Sequence, residues 1–118
     1  MPKKVIVAED EQVIRDDIVE EIRSRYPQAS VSSVNNGRSL VESVGKGGYS
    51  LVLTDDKMPE MDGFAAIRQI RQLDENVPIY MLAINDVRKE ALAAGATGCI
   101  DKLYYEERLP PVLKKHLG

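Results

Sequence analysis

The sequence predicts a doubly wound α/β domain: a five-stranded parallel sheet with helices on both faces. Three observations carry this. Short apolar runs alternate five times with amphipathic helical patterns along 118 residues. Runs such as Val5-Ile6-Val7-Ala8 and Leu51-Val52-Leu53-Thr54 are apolar at nearly every position, as strands buried on both faces are. Each run leads into a helix-length segment rather than a tight hairpin, and that alternation implies parallel strands joined by right-handed crossovers.

The first strand spans Lys4 to Ala8 and stops at Glu9-Asp10-Glu11. Val13, Ile14, Ile18 and Ile22 follow, the last three spaced by four as on one apolar helix face, and Pro27 closes that helix. Ala29 to Val34 reads as the second strand, with Ala29, Val31 and Val34 set against serines. Asn35-Asn36-Gly37 signals a turn, and Leu40, Val41 and Val44 mark a short helix ended by Gly45, Gly47 and Gly48, glycine being the usual helix stop. Ser50 to Thr54 is the third strand, broken at Asp55-Asp56. Phe64, Ile67, Ile70 and Leu73 give a helix from about Gly63 to Leu73.

Pro78 opens a fourth strand that runs to Ala83; a proline at the first strand position forfeits least. Asp86 to Ala94 is a short helix with Val87, Ala91 and Leu92 inward and Gly95 as its C-cap. Gly98 to Asp101 is a brief fifth strand ending on Lys102. Leu109, Val112, Leu113 and Leu117 sit at helical spacing, and Pro110-Pro111 suggest a start at one of those prolines, since the first turn tolerates them. No repeat or linker interrupts the pattern, so residues 1–118 are expected to form one domain.

Composition narrows the function. A net charge of −3 argues against a nucleic-acid surface, which normally needs a basic patch. The single cysteine, Cys99, excludes an intrachain disulfide and a multi-cysteine metal site. No apolar stretch approaches the ~20 residues that span a bilayer, and the N-terminus turns acidic too soon for a signal peptide. A cytoplasmic protein acting away from membranes is expected.

Strand ends are where open α/β sheets place their chemistry. Glu9 and Asp10 follow the first strand, Asp55 the third and Lys102 the fifth. Carboxylates gathered there repel: two unit charges ~4 Å apart at an effective dielectric of ~20 cost roughly 4 kcal/mol. A hard divalent cation relieves this, and Mg2+, which takes one or two carboxylates, keeps waters and contacts a phosphate oxygen, suits the set. Glu9, Asp10 and Asp55 contribute −3, and Mg2+ with Lys102 contributes +3. Such a site tolerates an added phosphoryl group, with Asp55 as nucleophile and Lys102 as its point-charge partner. Asp10 also suits the N-cap of the first helix, a competing role that it could fill alongside metal binding.

The motifs Val-Ile-Val-Ala-Glu9-Asp10-Glu11, Leu-Val-Leu-Thr-Asp55-Asp56-Lys57-Met58-Pro59-Glu60-Met61-Asp62-Gly63, Ala94-Gly95-Ala96-Thr97-Gly98 and Asp101-Lys102 resemble those of response-regulator receiver domains, the phosphoacceptor modules of two-component signalling. The resemblance covers essentially the whole chain. It implies a flavodoxin-like strand order, 2-1-3-4-5, and phosphorylation of Asp55 by a histidine kinase or phosphotransfer protein, with a further protein downstream. It also implies Mg2+ held by Asp10 and Asp55, with Glu9 in support and a backbone carbonyl from Lys57.

The departures from the family pattern concern the switch. Ala83 stands where a Ser or Thr is usual, and Cys99 replaces an aromatic residue. The Ala83–Lys102 segment is about three residues short, close to one helical turn. Leu103 replaces a proline usually preceded by a cis bond, so a trans link or a different loop is expected. Asp56 adds a charge beside the acceptor. These features leave a second reading open, a pseudo-receiver that binds a partner regardless of phosphorylation. A hydrolase with an aspartate nucleophile would need an acid two residues on, where Lys57 stands. A nucleotide-binding relative would want a glycine-rich loop after the first strand. Cys99 reads as a small buried strand residue, His116 as solvated, Tyr104-Tyr105 as loop residues packed on the sheet edge, and Lys114-Lys115 as complements to a helix dipole.

Overall fold

A computed structural model describes residues 2–118. The elements run β1 (Lys4–Ala8), α1 (Gln12–Arg25), β2 (Ser30–Val34), α2 (Gly37–Val44), β3 (Leu51–Asp55), α3 (Gly63–Leu73), β4 (Ile79–Ala83), α4 (Arg88–Ala94), β5 (Gly98–Asp101) and α5 (Tyr105–Leu117), with a 3-10 turn over Lys102–Tyr104. The sheet is parallel throughout, in the order β2-β1-β3-β4-β5. This is the doubly wound arrangement that the alternation of elements predicts.

Two apolar layers flank the sheet. Ile6, Val52, Ile79 and Met81 face α2, α3 and α4 through Leu40, Ala66, Ile67, Ile70 and Ala91. Val5, Val7, Leu51, Leu53 and Leu82 face α1 and α5 through Ile18, Ile22, Leu109, Leu113 and Leu117. β1, β3 and β4 are buried almost end to end, which explains their near-continuous apolar sequences.

Several helix faces differ from the periodic reading. In α1 the buried stripe is Ile18, Val19 and Ile22, while Val13, outside the four-residue spacing, is 82% exposed. In α3, Gly63, Ala66, Ile67 and Ile70 are buried. Leu73 at its end is 61% exposed and lies near Gly45. In α4, Ala91 and Ala94 turn inward, not Leu92. Gly45 keeps a right-handed backbone, and Gly47 and Gly48, at φ +83° and +86°, make the turn after α2; Gly95 caps α4 at φ +117° as expected.

The largest local revision is at α5. The helix begins at Tyr105 and carries Pro110 and Pro111 inside it. Each proline lacks an N–H, so the carbonyls of Glu106 and Glu107 lose their i→i−4 partners. Both glutamates are exposed, which lets water take the freed oxygens. Burial of Leu109, Leu113 and Leu117 along one face offsets that loss. An added tie reaches α1, where the Tyr105 hydroxyl donates to Asp17; Tyr105 is thus a helix residue, while Tyr104 in the 3-10 turn stays exposed. His116 is not simply solvated: its Nε2 lies 2.8 Å from the Tyr80 hydroxyl. Cys99 is half-exposed rather than buried, because β5 is an edge strand with a cleft beside it.

Candidate phosphoacceptor site

The ends of β1, β3 and β5 meet at one edge of the sheet, and each delivers its charged residue there. Glu9, directly after β1, is fully buried. Its amide donates to the Val34 carbonyl at 3.1 Å, and its Oε2 accepts from the Glu11 amide at 3.1 Å. Its Oε1 accepts no aligned hydrogen bond. The Lys102 ammonium lies 2.8 Å from that oxygen, a charge contact in poor hydrogen-bond geometry. A buried carboxylate oxygen in this condition is costly and has capacity for a further cation.

Asp10 does not cap α1. The N-cap position falls to Glu11, and no side chain caps the helix, so Asp10 keeps an exposed carboxylate at the cleft mouth. Asp55, the last residue of β3, is only 4% exposed. Its Oδ1 accepts from the Asp56 amide at 2.9 Å, and its Oδ2 lies 3.1 Å from Lys102 Nζ. Lys102 reaches back across the end of β4, the strand that separates β5 from β3. That end carries Ala83, which has no polar side-chain atom to intercept the ammonium.

The loop after Asp55 explains the Met-Pro-x-Met-Asp-Gly signature. Asp62 caps α3, accepting from the Ala65 amide at 2.8 Å. The Gly63 amide donates to the Asp56 carbonyl at 2.8 Å, which draws the helix start against the strand end. A Cβ on Gly63 would stand 2.1 Å from the Asp55 carbonyl oxygen, and one on Gly37 would stand 2.1 Å from that of Met61. The loop is therefore pressed between β3 and the start of α2, with Glu60 held at φ +66°.

One oxygen from each of Glu9, Asp10 and Asp55 lies within 4.8 Å of the other two. Three hard oxygen donors, one on an unsatisfied buried carboxylate, fit a divalent cation. Lys57 and Asp56 line the same cleft of about 250 Å3, with Ile84 and Asn85 on its far wall. Neither of those two was singled out in the sequence, although their place just beyond β4 was the available signal. Asp56 is not a solvated charge; it is 8% exposed. Lys102 is joined to its following residue by a trans peptide, as expected.

Electrostatics set the protonation state. Burial raises the Asp55 pKa from 3.8 to about 8, aided by the side-chain carboxyl of Asp56 and the charge of Glu9 and opposed by Lys102. Burial alone would lower the pKa of Lys102, yet its close contact with the Glu9 carboxylate and the charge of Asp55 outweigh this and shift it upward. Without a bound cation, Asp55 thus takes up a proton far more readily than a solvated carboxyl, and the all-ionised sum of charges describes the cation-bound state. Mg2+ binding at pH 7 is expected to release close to one proton, read calorimetrically in buffers of different ionisation enthalpy. The affinity should rise with pH and level off above about 8. A binding heat independent of buffer would contradict this.

Comparison with known proteins decides the family. The response regulator receiver domain model matches residues 5–114. The chain belongs to that family. Among curated relatives, the uncharacterized transcriptional regulatory protein YkoG of Bacillus subtilis is 30% identical over 89% of this chain and 46% of its own length. The chain therefore spans less than half of that relative. Chemotaxis protein CheY of Bacillus subtilis is 28% identical over the full length of both. The receiver domain of sensor histidine kinase PA1611 from Pseudomonas aeruginosa, solved with magnesium in its active-site cleft, is 27% identical. It superposes with a TM-score of 0.84, covering 100% of this chain and 99% of that one.

As a receiver domain, the chain is a module of two-component signalling, and its acidic cluster is of the kind found at a phosphoacceptor site. The family and the intact cluster weigh against the pseudo-receiver reading. Among the described residues, no helix is long and apolar enough to cross a membrane.

Proposed function

We propose that Asp55 accepts a phosphoryl group from a histidine kinase or phosphotransfer protein, and that residues 1–118 act as one receiver unit. The observation that carries this reading is the double engagement of Lys102, 2.8 Å from Glu9 and 3.1 Å from Asp55. The lysine is anchored by Glu9 and aimed at the acceptor. A carboxylate oxygen of Asp55 attacks phosphorus, the bond to the donor's imidazole nitrogen breaks, and that nitrogen keeps the electron pair. Lys102 supplies the positive charge that the new phosphoryl oxygens need. Asp10, Asp55 and the Lys57 carbonyl, backed by Glu9, would hold Mg2+, which neutralises charge on the transferred group. The same groups would let the chain promote its own phosphorylation and dephosphorylation without being an enzyme toward another substrate.

Incubation with a small phosphoramidate or acyl phosphate and Mg2+ should add one phosphoryl group per chain by intact mass, and chelation should prevent it. A chain left unmodified by both donors would overturn the proposal. The response to phosphorylation should differ from the family's usual switch. Ala83 has no hydroxyl to draw the following loop inward, and Cys99 offers no aromatic ring to reorient. Amide shifts on phosphorylation are expected in the turns after β1 and β3 and around Lys102, with α4 little changed. Large shifts throughout Arg88–Ala94 would contradict that part.

A further inference from the structure

We propose that Arg15, on the first turns of α1, is a positioning residue for the metal-binding end of the cleft; the inference rests on the Mg2+ reading above. Its Nη1 donates to the Glu9 carbonyl at 2.9 Å. With that bond, both main-chain polar groups of Glu9 are engaged, the amide by Val34 and the carbonyl by Arg15, while its Oε2 accepts from the Glu11 amide and its Oε1 has only the charge contact with Lys102. The Glu9 carbonyl belongs to the Glu9–Asp10 peptide, so its orientation sets the direction in which Asp10 leaves the backbone.

Among the described residues, no hydrogen bond to the Asp10 side chain fixes its direction. Asp10 does not cap α1, and the Glu11 N-cap carries no side-chain bond. The start of α1 is held by main-chain bonds such as Arg15 N–H to Glu11 carbonyl at 2.9 Å. Arg15 thus closes a loop from the helix back to the strand end. Its side chain is half-buried, between this turn and the Ser33, Val34, Asn35 and Ser39 surface, which limits its freedom to leave.

Geometry and charge predict opposite signs for removing it. Loss of a nearby cation alone would tighten Mg2+ binding to three carboxylates. Loss of the backbone tie would loosen Asp10 and weaken binding, as removal of groups that orient metal ligands does, by roughly 10-fold or more. The experiment is calorimetric titration of the full, unphosphorylated chain with Mg2+ alone. Arg15→Ala should bind Mg2+ roughly 10-fold more weakly, and the deficit should persist at high salt, where a charge effect is screened. Arg15→Lys, which keeps a donor within reach of the same carbonyl, should fall between Ala and the wild type. Arg15→Ala binding as tightly as wild type, or tighter, overturns the inference and leaves the metal site standing. Wild-type chain that binds no Mg2+ overturns both. Arg15→Met, which retains the stem's packing, takes the place of Ala if that variant does not fold, with the same two outcomes.

Discussion

Asp55→Asn should abolish phosphoryl uptake and, at the same time, stabilise the cation-free protein at neutral and alkaline pH. Asparagine has nearly the same shape and can accept the Asp56 amide as Asp55 does at 2.9 Å, but its side chain is no nucleophile toward phosphorus at this pH. The second effect follows from burial. Asp55 has an ordinary pKa of 3.8 and one of about 8 in the fold. A group raised in this way contributes stability that is complete below about pH 4 and lost as pH rises through about 8. At pH 7 the wild-type fold must keep a proton that the unfolded chain has released, which costs on the order of a few kcal/mol. The neutral amide avoids that cost. Thermal melts of the cation-free protein between pH 5 and 9 should show wild-type stability falling more steeply with pH than that of Asp55→Asn. Mg2+ should raise the wild-type melting temperature and have little effect on the variant, since one donor has become a weaker ligand. A phosphorylated Asp55→Asn chain, or parallel pH profiles, would show that the carboxylate at the end of β3 is not the centre of this site.

Most of that site was legible because it obeys two simple rules. Strands buried on both faces are apolar throughout, so Val5–Ala8 and Leu51–Thr54 announced themselves, and in a parallel sheet all strands end on one edge. Glu9, Asp10, Asp55 and Lys102 could therefore be placed together without knowing a single distance. What escaped was decided by tertiary contacts. Pro110 and Pro111 argue locally for a helix starting at a proline, yet the buried leucines of α5 carry the helix back to Tyr105. Val13 and Leu73 are apolar but lie where the helix meets no neighbour that buries it. The pairing of His116 with Tyr80 spans 36 positions, and nothing local marks it. The bond of Arg15 to the Glu9 carbonyl depends on where α1 docks, which no local pattern marks. Cys99 reads as a small buried strand residue, and its partial exposure comes from β5 being at the sheet's edge.

Gly63→Ala should be strongly destabilising for so small a substitution. Its backbone is not in the left-handed region, so alanine would fit the local conformation and would even favour the helix. Space decides the result. The new Cβ would stand 2.1 Å from the Asp55 carbonyl oxygen and 3.0 Å from Met81 Cε. The methionine tip can move; the strand end cannot without disturbing Asp55 itself. Relief requires α3 to retreat by about an ångström, far enough to strain the 2.8 Å bond from the Gly63 amide to the Asp56 carbonyl. Overpacking of this kind costs about 1–3 kcal/mol and more where backbone must shift; a loss of about 3 kcal/mol corresponds to roughly 10 °C in melting temperature for a domain of this size. Gly47 is the informative contrast. It has φ +83° and no neighbour within 4 Å of an added Cβ, so Gly47→Ala should cost only about 1 kcal/mol, from backbone strain. If the two variants melt alike, steric closeness at the helix start is not what Gly63 provides. If Gly63→Ala alone is strongly destabilised and takes up phosphate slowly even when kept folded at low temperature, then the glycine serves the acceptor directly: it lets α3 sit tight enough against β3 to fix the peptide that aims Asp55 at Lys102.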